Sequence, residues 1–509
     1  MVRGFSRSEY LYTIISHKVA IMPPRLLSKS KYLNGLQCPK LLWLLFHEPE
    51  KIPEPDAATQ YIFDQGHAVG ELAKGLYPHG IDIPDDSFMG NVKQTRELLK
   101  QRTTLFEPGI LVRNLYARVD ILEPAGEDEW DIIEVKSSTK VKDVNIHDAA
   151  FQRYCCQQAG LEIRKCFLAH INNQYIRHGE IDPQQLFTVV DITDDVANVS
   201  GNVPDRVNDM LEIIAASRCP DIGIGKHCSD PYECALSDCW DFLPEHNVFE
   251  LYYGGQKSFG LLNDGVLAID EIPDDFKLSD KQQIQKQCVV SGQPYIDRMG
   301  IRGFLASLRY PLCYLDFETF NPGVPMFDGT RPYQQVPFQF SLHVVESENG
   351  KPEHYSFLAD GVDDPRPEFL KRLKEVLPGK GSVVVYNASF EKRILSEIGN
   401  AFPENADWVE SVVSRMADLL APFRNFHYYH PAQKGSASLK AVLPALTGKG
   451  YDGLEINNGE DASLAFQQVT YGDVSEEERR KVRAGLEEYC GLDTEGMIWI
   501  VDALQSQVT

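Results

Sequence analysis

Two separate stretches of the chain alternate amphipathic helical segments with short apolar strands. That alternation restricts each stretch to a layered α/β arrangement with helices packed on a sheet. The first covers residues 26–245, where "DAATQYIFDQGHAVGELAKGLY" and "VKQTRELLKQ" read as helices and "LVRNLYARVDIL", "WDIIEVKSS" and "RKCFLAHIN" as strands. The second covers 306–509, from the strand "LCYLDFETF" through "QFSLHVVE" and "SVVVYN" to a long closing helix, "EEERRKVRAGLEEYCGLDTEGMIWIVDAL". Between them, 246–305 reads as a helical connector with a Ser-capped helix in "LSDKQQIQKQCVV". Residues 1–25 read as an extension outside both domains, with Met22 as an alternative start. At 509 residues and 43% hydrophobic content the chain can bury both cores. No apolar run approaches the roughly 18–20 residues of a bilayer span, and the first residues lack a signal-peptide pattern. The expectation is a cytoplasmic chain with no membrane partner.

Side chains alternate faces along a strand, so Glu134 and Lys136 in "IIEVKSS" point one way while Ile133 and Val135 point into the core. The neighbouring strand "YARVDIL" carries Asp120 in a similar apolar setting, and pairing of the two would bring both carboxylates together. Like charges at that separation repel and lose solvation unless a cation sits between them. The plain alternative is a surface hairpin, with "GEDEW" at its tip and its charges solvated. "YPLCYLDFETF" poses the same problem more sharply, since Asp316 and Glu318 share one face of an apolar strand. In "SVVVYNASFEKRIL" a strand breaks into a helix at Asn387, and Glu391 projects from the first turn. "EEYCGLD" places Tyr489 and Asp493 four apart on one helical face. "KGSASLK" offers Ser438 or Lys440 as phosphate contacts at a helix start, and Asp418 reads as a helix-end acid.

The net charge of −24 argues at first against a polyanionic partner, because phosphate contacts normally come from Lys and Arg. A nuclease that works through metal ions, however, must concentrate carboxylates, and the bound ions then change how the site treats phosphate. Of eleven cysteines, four cluster at Cys219, Cys228, Cys234 and Cys239, with Cys38 far upstream. Clustered cysteines between Pro and Gly turns suggest a metal or cluster site. The remaining six, among them Cys156 and Cys490, fit the pattern of small buried hydrophobes.

Asp120, a hairpin, Glu134-x-Lys136 and a helix carrying Gln152 resemble the PD-(D/E)xK nucleases, in particular the RecB-type iron–sulfur nucleases of CRISPR systems and of the AddB subunit. That resemblance implies a restriction-endonuclease-like core in which Asp120, Glu134, the Val135 carbonyl and His67 of an upstream helix hold Mg²⁺ or Mn²⁺. Lys136 would stabilise charge on the attacking water or phosphoryl oxygens, and Gln152 would contact nucleic acid. The family's Gln-x-x-x-Tyr is absent here, since Cys156 follows Gln152 at that spacing. The resemblance also implies a [4Fe–4S] cluster on Cys38, Cys228, Cys234 and Cys239, with Cys219 in reserve; zinc is the alternative, because four thiolates suit it equally. Asp316-x-Glu318, Glu391 and Tyr489-x-x-x-Asp493 resemble the DEDDy exonucleases of the RNase H-like (DnaQ-type) fold. Those five residues would then be catalytic, the carboxylates holding two metal ions and Tyr489 orienting the water, with Asn387, Ser438 and Lys440 near nucleic acid. Glu391 departs from the family's Asp by one methylene. The order of the halves resembles a bacterial family that fuses the two kinds of domain.

The function this implies is a two-centre, metal-dependent nuclease hydrolysing DNA or RNA, with DNA favoured and single-stranded, exonucleolytic action expected. The competing reading is a nucleic-acid-binding or scaffolding protein with one or both centres inactive, held together by its cluster. A third, a metal enzyme acting on small phosphoesters, has only the carboxylates in its favour.

Overall fold

The computed structural model describes residues 25–84 and 87–509. The expected N-terminal extension therefore lies, apart from Arg25, outside the described residues. Strands and helices combine in a mixed α/β architecture with two principal sheets.

The first sheet has six strands in sequential spatial order: β1 (Ile81–Asp82), β2 (Leu105–Phe106), β3 (Ile121–Ala125), β4 (Glu129–Lys136), β5 (Glu162–Ile171) and β6 (Phe187–Asp191). β3 and β4 form an antiparallel hairpin closed at Gly126, and β4 runs parallel to β5. "LVRNLYARVDIL" is not one strand. The chain turns at Arg113, which has φ of 52°, and pairs Gly109–Val112 with Leu115–Arg118 in a separate small sheet before β3 begins. Helices α1 (Lys29–Gln37), α2 (Ala57–Ala73) and α3 (Asp143–Gln158) belong to this half. Tyr32 of α1 stacks on Phe151 of α3 with ring centres 4.6 Å apart, at the heart of its main apolar core.

The connector is helical, as expected, and its Ser279 cap forms a reciprocal capping box with Gln282. It also has its own apolar cluster around Val248, Leu261 and Ile272. A two-stranded ladder, Tyr295–Ile296 with Tyr428–Tyr429, fastens it to the second half.

The second sheet has β7 (Leu312–Phe320) at its centre, in the order β9 (Glu353–Leu358), β8 (Val336–Val345), β7, β10 (Ser382–Val385), β11 (Met416–Asp418). β8 is antiparallel to β7, whereas β10 runs parallel to it. Around it lie α4 (Ala388–Ala401), α5 (Leu439–Thr447), α6 (Gly459–Tyr471) and the 33-residue α7 (Glu476–Val508). Leu486, Met497, Ile500, Val501 and Leu504 of α7 are buried, which seats this helix on the sheet.

The halves touch along a polar seam. Tyr61 of α2 donates to Gln467 of α6 at 2.7 Å, and Gly323 N–H donates to the Gln65 side-chain amide oxygen, Oε1, at 2.8 Å. The Arg177 guanidinium donates to the carbonyls of Pro325 and Met326 at 3.1 and 2.7 Å. Tyr333 donates its hydroxyl proton to the Ser137 carbonyl, one residue beyond Lys136.

Candidate functional sites

At the first centre the Ile121–Ile133 pairing sets Asp120 opposite Glu134. Glu134 is completely buried, as is Ile133, so both faces of β4 are covered rather than one. Asp120 accepts from the Val135 N–H at 2.8 Å, which leaves its other oxygen for a lysine. That lysine is Lys29, at the start of α1, whose ammonium lies 3.1 Å from Asp120 and 3.0 Å from Glu134. Lys136 bonds Glu134 and reaches Asp148 of α3 at 2.8 Å. Gln152 completes the network, donating to Glu134 at 2.6 Å and to Asp148 at 2.8 Å.

Burial opposes the charge on Lys29, but Asp120, Asp148 and Glu134 outweigh it and hold its pKa well above the ordinary lysine value. Lys136 is raised in the same way, with Asp148 and Glu134 outweighing burial. Three carboxylates thus face two ammonium groups, and the network is nearly neutral without a metal.

Two expectations need correction here. Gln152, expected near nucleic acid, is fully buried with its amide nitrogen given to two carboxylates, which makes it a positioning group for them. His67 lies on an exposed part of α2, and among the described residues it joins no set with Asp120 and Glu134 whose ligand atoms fall within 4.8 Å of one another. The sequence reading missed Lys29 and Asp148. Asp148 had a signal, being four residues before Gln152 on the same face of α3; Lys29 had none, because its partners are distant in the chain.

At the second centre, β7 supplies Asp316 and Glu318, the first turn of α4 supplies Glu391 and α7 supplies Asp493. Asn387, just before α4, has φ of 74°, and this left-handed residue turns β10 sharply into the helix that aims Glu391 inward. Asp316, Glu318 and Cys490 present ligand atoms within 4.8 Å of one another. Cys490 is therefore more than a buried hydrophobe: its thiol donates to Asp316 at 3.7 Å. Glu391 is 2% exposed, and its Oε2 has no hydrogen-bond partner among the described residues.

The electrostatics follow from this crowding. Burial, then Asp493, Glu318 and Glu391, push Asp316 well above the usual carboxylate range. Glu318 rises through burial and Asp493, against the pull of Lys440. Burial lifts Glu391 to about 8. Asp493 is raised by burial to about 6, and hydrogen bonds from Tyr451 and Tyr489 restrain the rise. Lys440, 5.5 Å from the centre of the Tyr489 ring, is the cation that faces this group. No carboxylate of the four has an ion-pair partner among the described residues.

Tyr451 was missed because it comes from a loop with no periodic pattern. Cys490 could have been found, since it sits three residues before Asp493 on one face of α7. Asn387 and Ser438 line a different cleft with Tyr253 and Arg424, rather than the one that Glu318 lines. Asp418, expected as a helix-end acid, is instead the last residue of β11 and accepts from the N–H groups of Asn387 and Leu420 at 3.0 and 3.1 Å.

Cys38 and Cys228 are buried, Cys234 and Cys239 half-buried and Cys219 exposed. Cys38, Cys234 and Cys239 meet one apolar cluster built on Leu41, Trp43 and Leu236. Lys40 approaches the Cys239 sulfur at 3.3 Å. Among the described residues no three of these sulfurs lie within 4.8 Å of one another.

Residues 313–438 match the family model described as Domain of unknown function (DUF2779). That span holds Asp316, Glu318 and Glu391 but stops before Tyr489 and Asp493. The chain is also similar to the Uncharacterized protein MG366 homolog of Mycoplasma pneumoniae, 27% identical over 213 residues, or 38% of this chain and 32% of that protein. Uncharacterized protein MG366 of Mycoplasma genitalium is 26% identical over 219 residues, 40% of this chain and 33% of that one. The chain thus spans about a third of the length of the curated relatives it matches.

Proposed function

We propose that this chain is a metal-dependent nuclease whose second centre hydrolyses phosphodiester bonds of DNA or RNA exonucleolytically. The observation that carries the reading is the buried, unpartnered Glu391 oxygen beside three further carboxylates that no ion pair neutralises. Asp316 and Glu318 already meet, with the Cys490 thiol, within 4.8 Å of one another, and carboxylates fit a hard divalent cation such as Mg²⁺ or Mn²⁺. Asp316, Glu318, Glu391 and Asp493 would hold it. Bound there, the ion would activate water and offset charge building on the phosphoryl oxygens. Tyr451 fixes Asp493 by its hydrogen bond, and the Tyr489 hydroxyl, near the same carboxylate, orients the nucleophile. Lys440 offers positive charge to a phosphate. This arrangement on a mixed sheet supports the RNase H-like, DEDDy-type description for 306–509.

For 26–245 we propose the PD-(D/E)xK description, with Cys38, Cys228, Cys234 and Cys239 holding an iron–sulfur cluster. Zinc on the same four thiolates is the alternative. A second reading also has a specific observation behind it. Lys29 spans Asp120 and Glu134, so the first centre is left with a single uncompensated carboxylate charge and would serve as a binding scaffold with no chemistry of its own.

The test is Mn²⁺-dependent release of nucleotides from end-labelled DNA and RNA by holoprotein, with Asp316→Ala as control. Wild type should release and the variant should not; no release from either strand by folded holoprotein would overturn the reading. Residual cleavage in the Asp316→Ala background, removed by Lys136→Ala, would show that the first centre is active too.

A further inference from the structure

Between the halves lie two adjoining clefts of about 480 and 620 Å³. Glu318 lines the first and Lys136 the second, so each opens on one of the two centres. Ile62, Ser137, Tyr333 and Gln335 line both. The clefts therefore meet at the point where Tyr333 of the second half bonds the Ser137 carbonyl of the first.

Their charges differ. In a chain with 50 Lys and Arg against 74 Asp and Glu, the second cleft is lined by Lys136, Lys140, Lys142, Arg331 and Arg393 against the single acid Glu397. Lys136 and Arg331 are ion-paired. Lys140, Lys142 and Arg393 are exposed and have no carboxylate partner among the described residues. Around them are aromatic faces: Lys142 lies 6.0 Å from the centre of the Tyr232 ring and Arg393 5.6 Å from that of Phe390, which lines the first cleft. Tyr232 is exposed and Phe390 half-buried, and unpaired cations beside accessible ring faces are what a nucleic-acid single strand requires, phosphates on the former and bases on the latter.

We infer that one track, from the basic wall of Lys140, Lys142 and Arg393 past Tyr333 to Glu318, binds a single strand of nucleic acid so that both centres face the same strand. The inference rests on the nuclease reading for what happens at Glu318, but binding along the track needs no cleavage. A strand held on the wall would present its end to the carboxylates, and affinity would grow with length until the strand reached the wall.

The experiment is fluorescence anisotropy of the full-length holoprotein in EDTA, where no cleavage occurs, with labelled 5- and 20-nucleotide single strands and a 20-base-pair duplex. The Lys140→Ala/Lys142→Ala/Arg393→Ala variant is compared with wild type and with Lys351→Ala/Lys380→Ala, two exposed lysines outside both clefts. The 20-mer should bind wild type at least tenfold more tightly than the 5-mer. The triple variant should lose about tenfold for the 20-mer only. Its log K against log salt slope should fall by about 2, from about 0.7 per phosphate contact removed. The lysine control should behave as wild type. Equal affinity of triple variant and wild type, or duplex bound as tightly as single strand, would overturn the track while leaving the nuclease reading intact. Wild type that binds no strand at all would overturn both.

Discussion

Glu391 is a buried carboxyl group with one oxygen left without a partner among the described residues, and burial favours its protonated form. Its usual value is 4.5 and burial lifts it to about 8, while Asp493 moves from 3.8 to about 6. As pH rises between the unfolded and folded values, the unfolded chain has lost a proton that the folded one retains, so the stability these groups contribute at low pH is lost. A divalent cation binds the deprotonated form. Mn²⁺ should therefore raise Tm more at pH 8 than at pH 6, read by thermal scans with and without EDTA; equal shifts would show that these acids are not the ligands. Glu391→Gln should raise the metal-free Tm at pH 8 and shrink the metal-induced gain. Tyr489→Phe should retain metal binding and lose about 10²-fold in rate, because only the nucleophile is misplaced. Glu391→Asp restores the length usual in the DEDDy pattern. Since α4 holds Glu391 with one oxygen free inside the group, the shorter chain should bind metal less well and release nucleotides more slowly. Asp316, Glu318 and Glu391 were legible because an acid in an apolar strand or at a strand–helix break is visible locally, and Asp493 because it follows Tyr489 by one helical turn. Lys29 and Tyr451 were not, since each meets its carboxylate only through the tertiary fold.

Periodicity revealed most of the elements but not their interruptions. β7, the capped connector helix and α7 stand where the pattern put them, because long amphipathic or apolar runs override local preference. The turn at Arg113 was hidden, because Arg and Asn in "VRNL" do not punctuate a strand as Gly or Pro would. Gly435 shows how closely the elements meet. It has φ of 75°, and a Cβ there would lie 1.9 Å from the Glu250 carbonyl oxygen of the connector. That carbonyl already accepts from Gln285 at 2.7 Å, so it cannot retreat freely. Gly435→Ala should cost at least the ~1–3 kcal/mol of a disallowed backbone, with the overlap added, seen as a drop in denaturation midpoint at unchanged slope. The cysteines bear on elements in another way. Cys38 ends α1, and the other three lie beyond residue 225, so a shared cluster would clamp the two ends of the first half. Anaerobically purified protein should be brown, with about four iron and four sulfide per chain. Cys38→Ser should lower Tm more than Cys288→Ser; colourless protein with one zinc would refute the cluster.

At the scale of the molecule, the seam between the halves was not legible at all, because apart from Val324 and Tyr333 packing on the Val69 and Phe106 cluster it is made of backbone carbonyls and isolated polar side chains with no pattern along the chain. Arg177 is its most concentrated element, with two carbonyl acceptors for one guanidinium nitrogen. Hydrogen bonds to a charged group contribute about 1.5–3 kcal/mol each. Arg177→Ala should therefore separate one calorimetric transition into two, while Arg164→Ala, which removes the partner of the buried Asp131 within the first sheet and touches nothing across the seam, should not. Among the described residues no helix is long and apolar enough to cross a membrane. One feature of α7 reaches into the protein's biosynthesis. The first centre draws every acid and lysine from residues 29 to 152, so it can form while the ribosome is still making the second half. The second centre waits for Asp493, carried on a helix about 50 Å long that is translated after every strand of its sheet. A chain that stalls or is cut before Glu476 holds three acids and no fourth, so an unfinished copy would never carry the complete carboxylate group into the company of the cell's own nucleic acids.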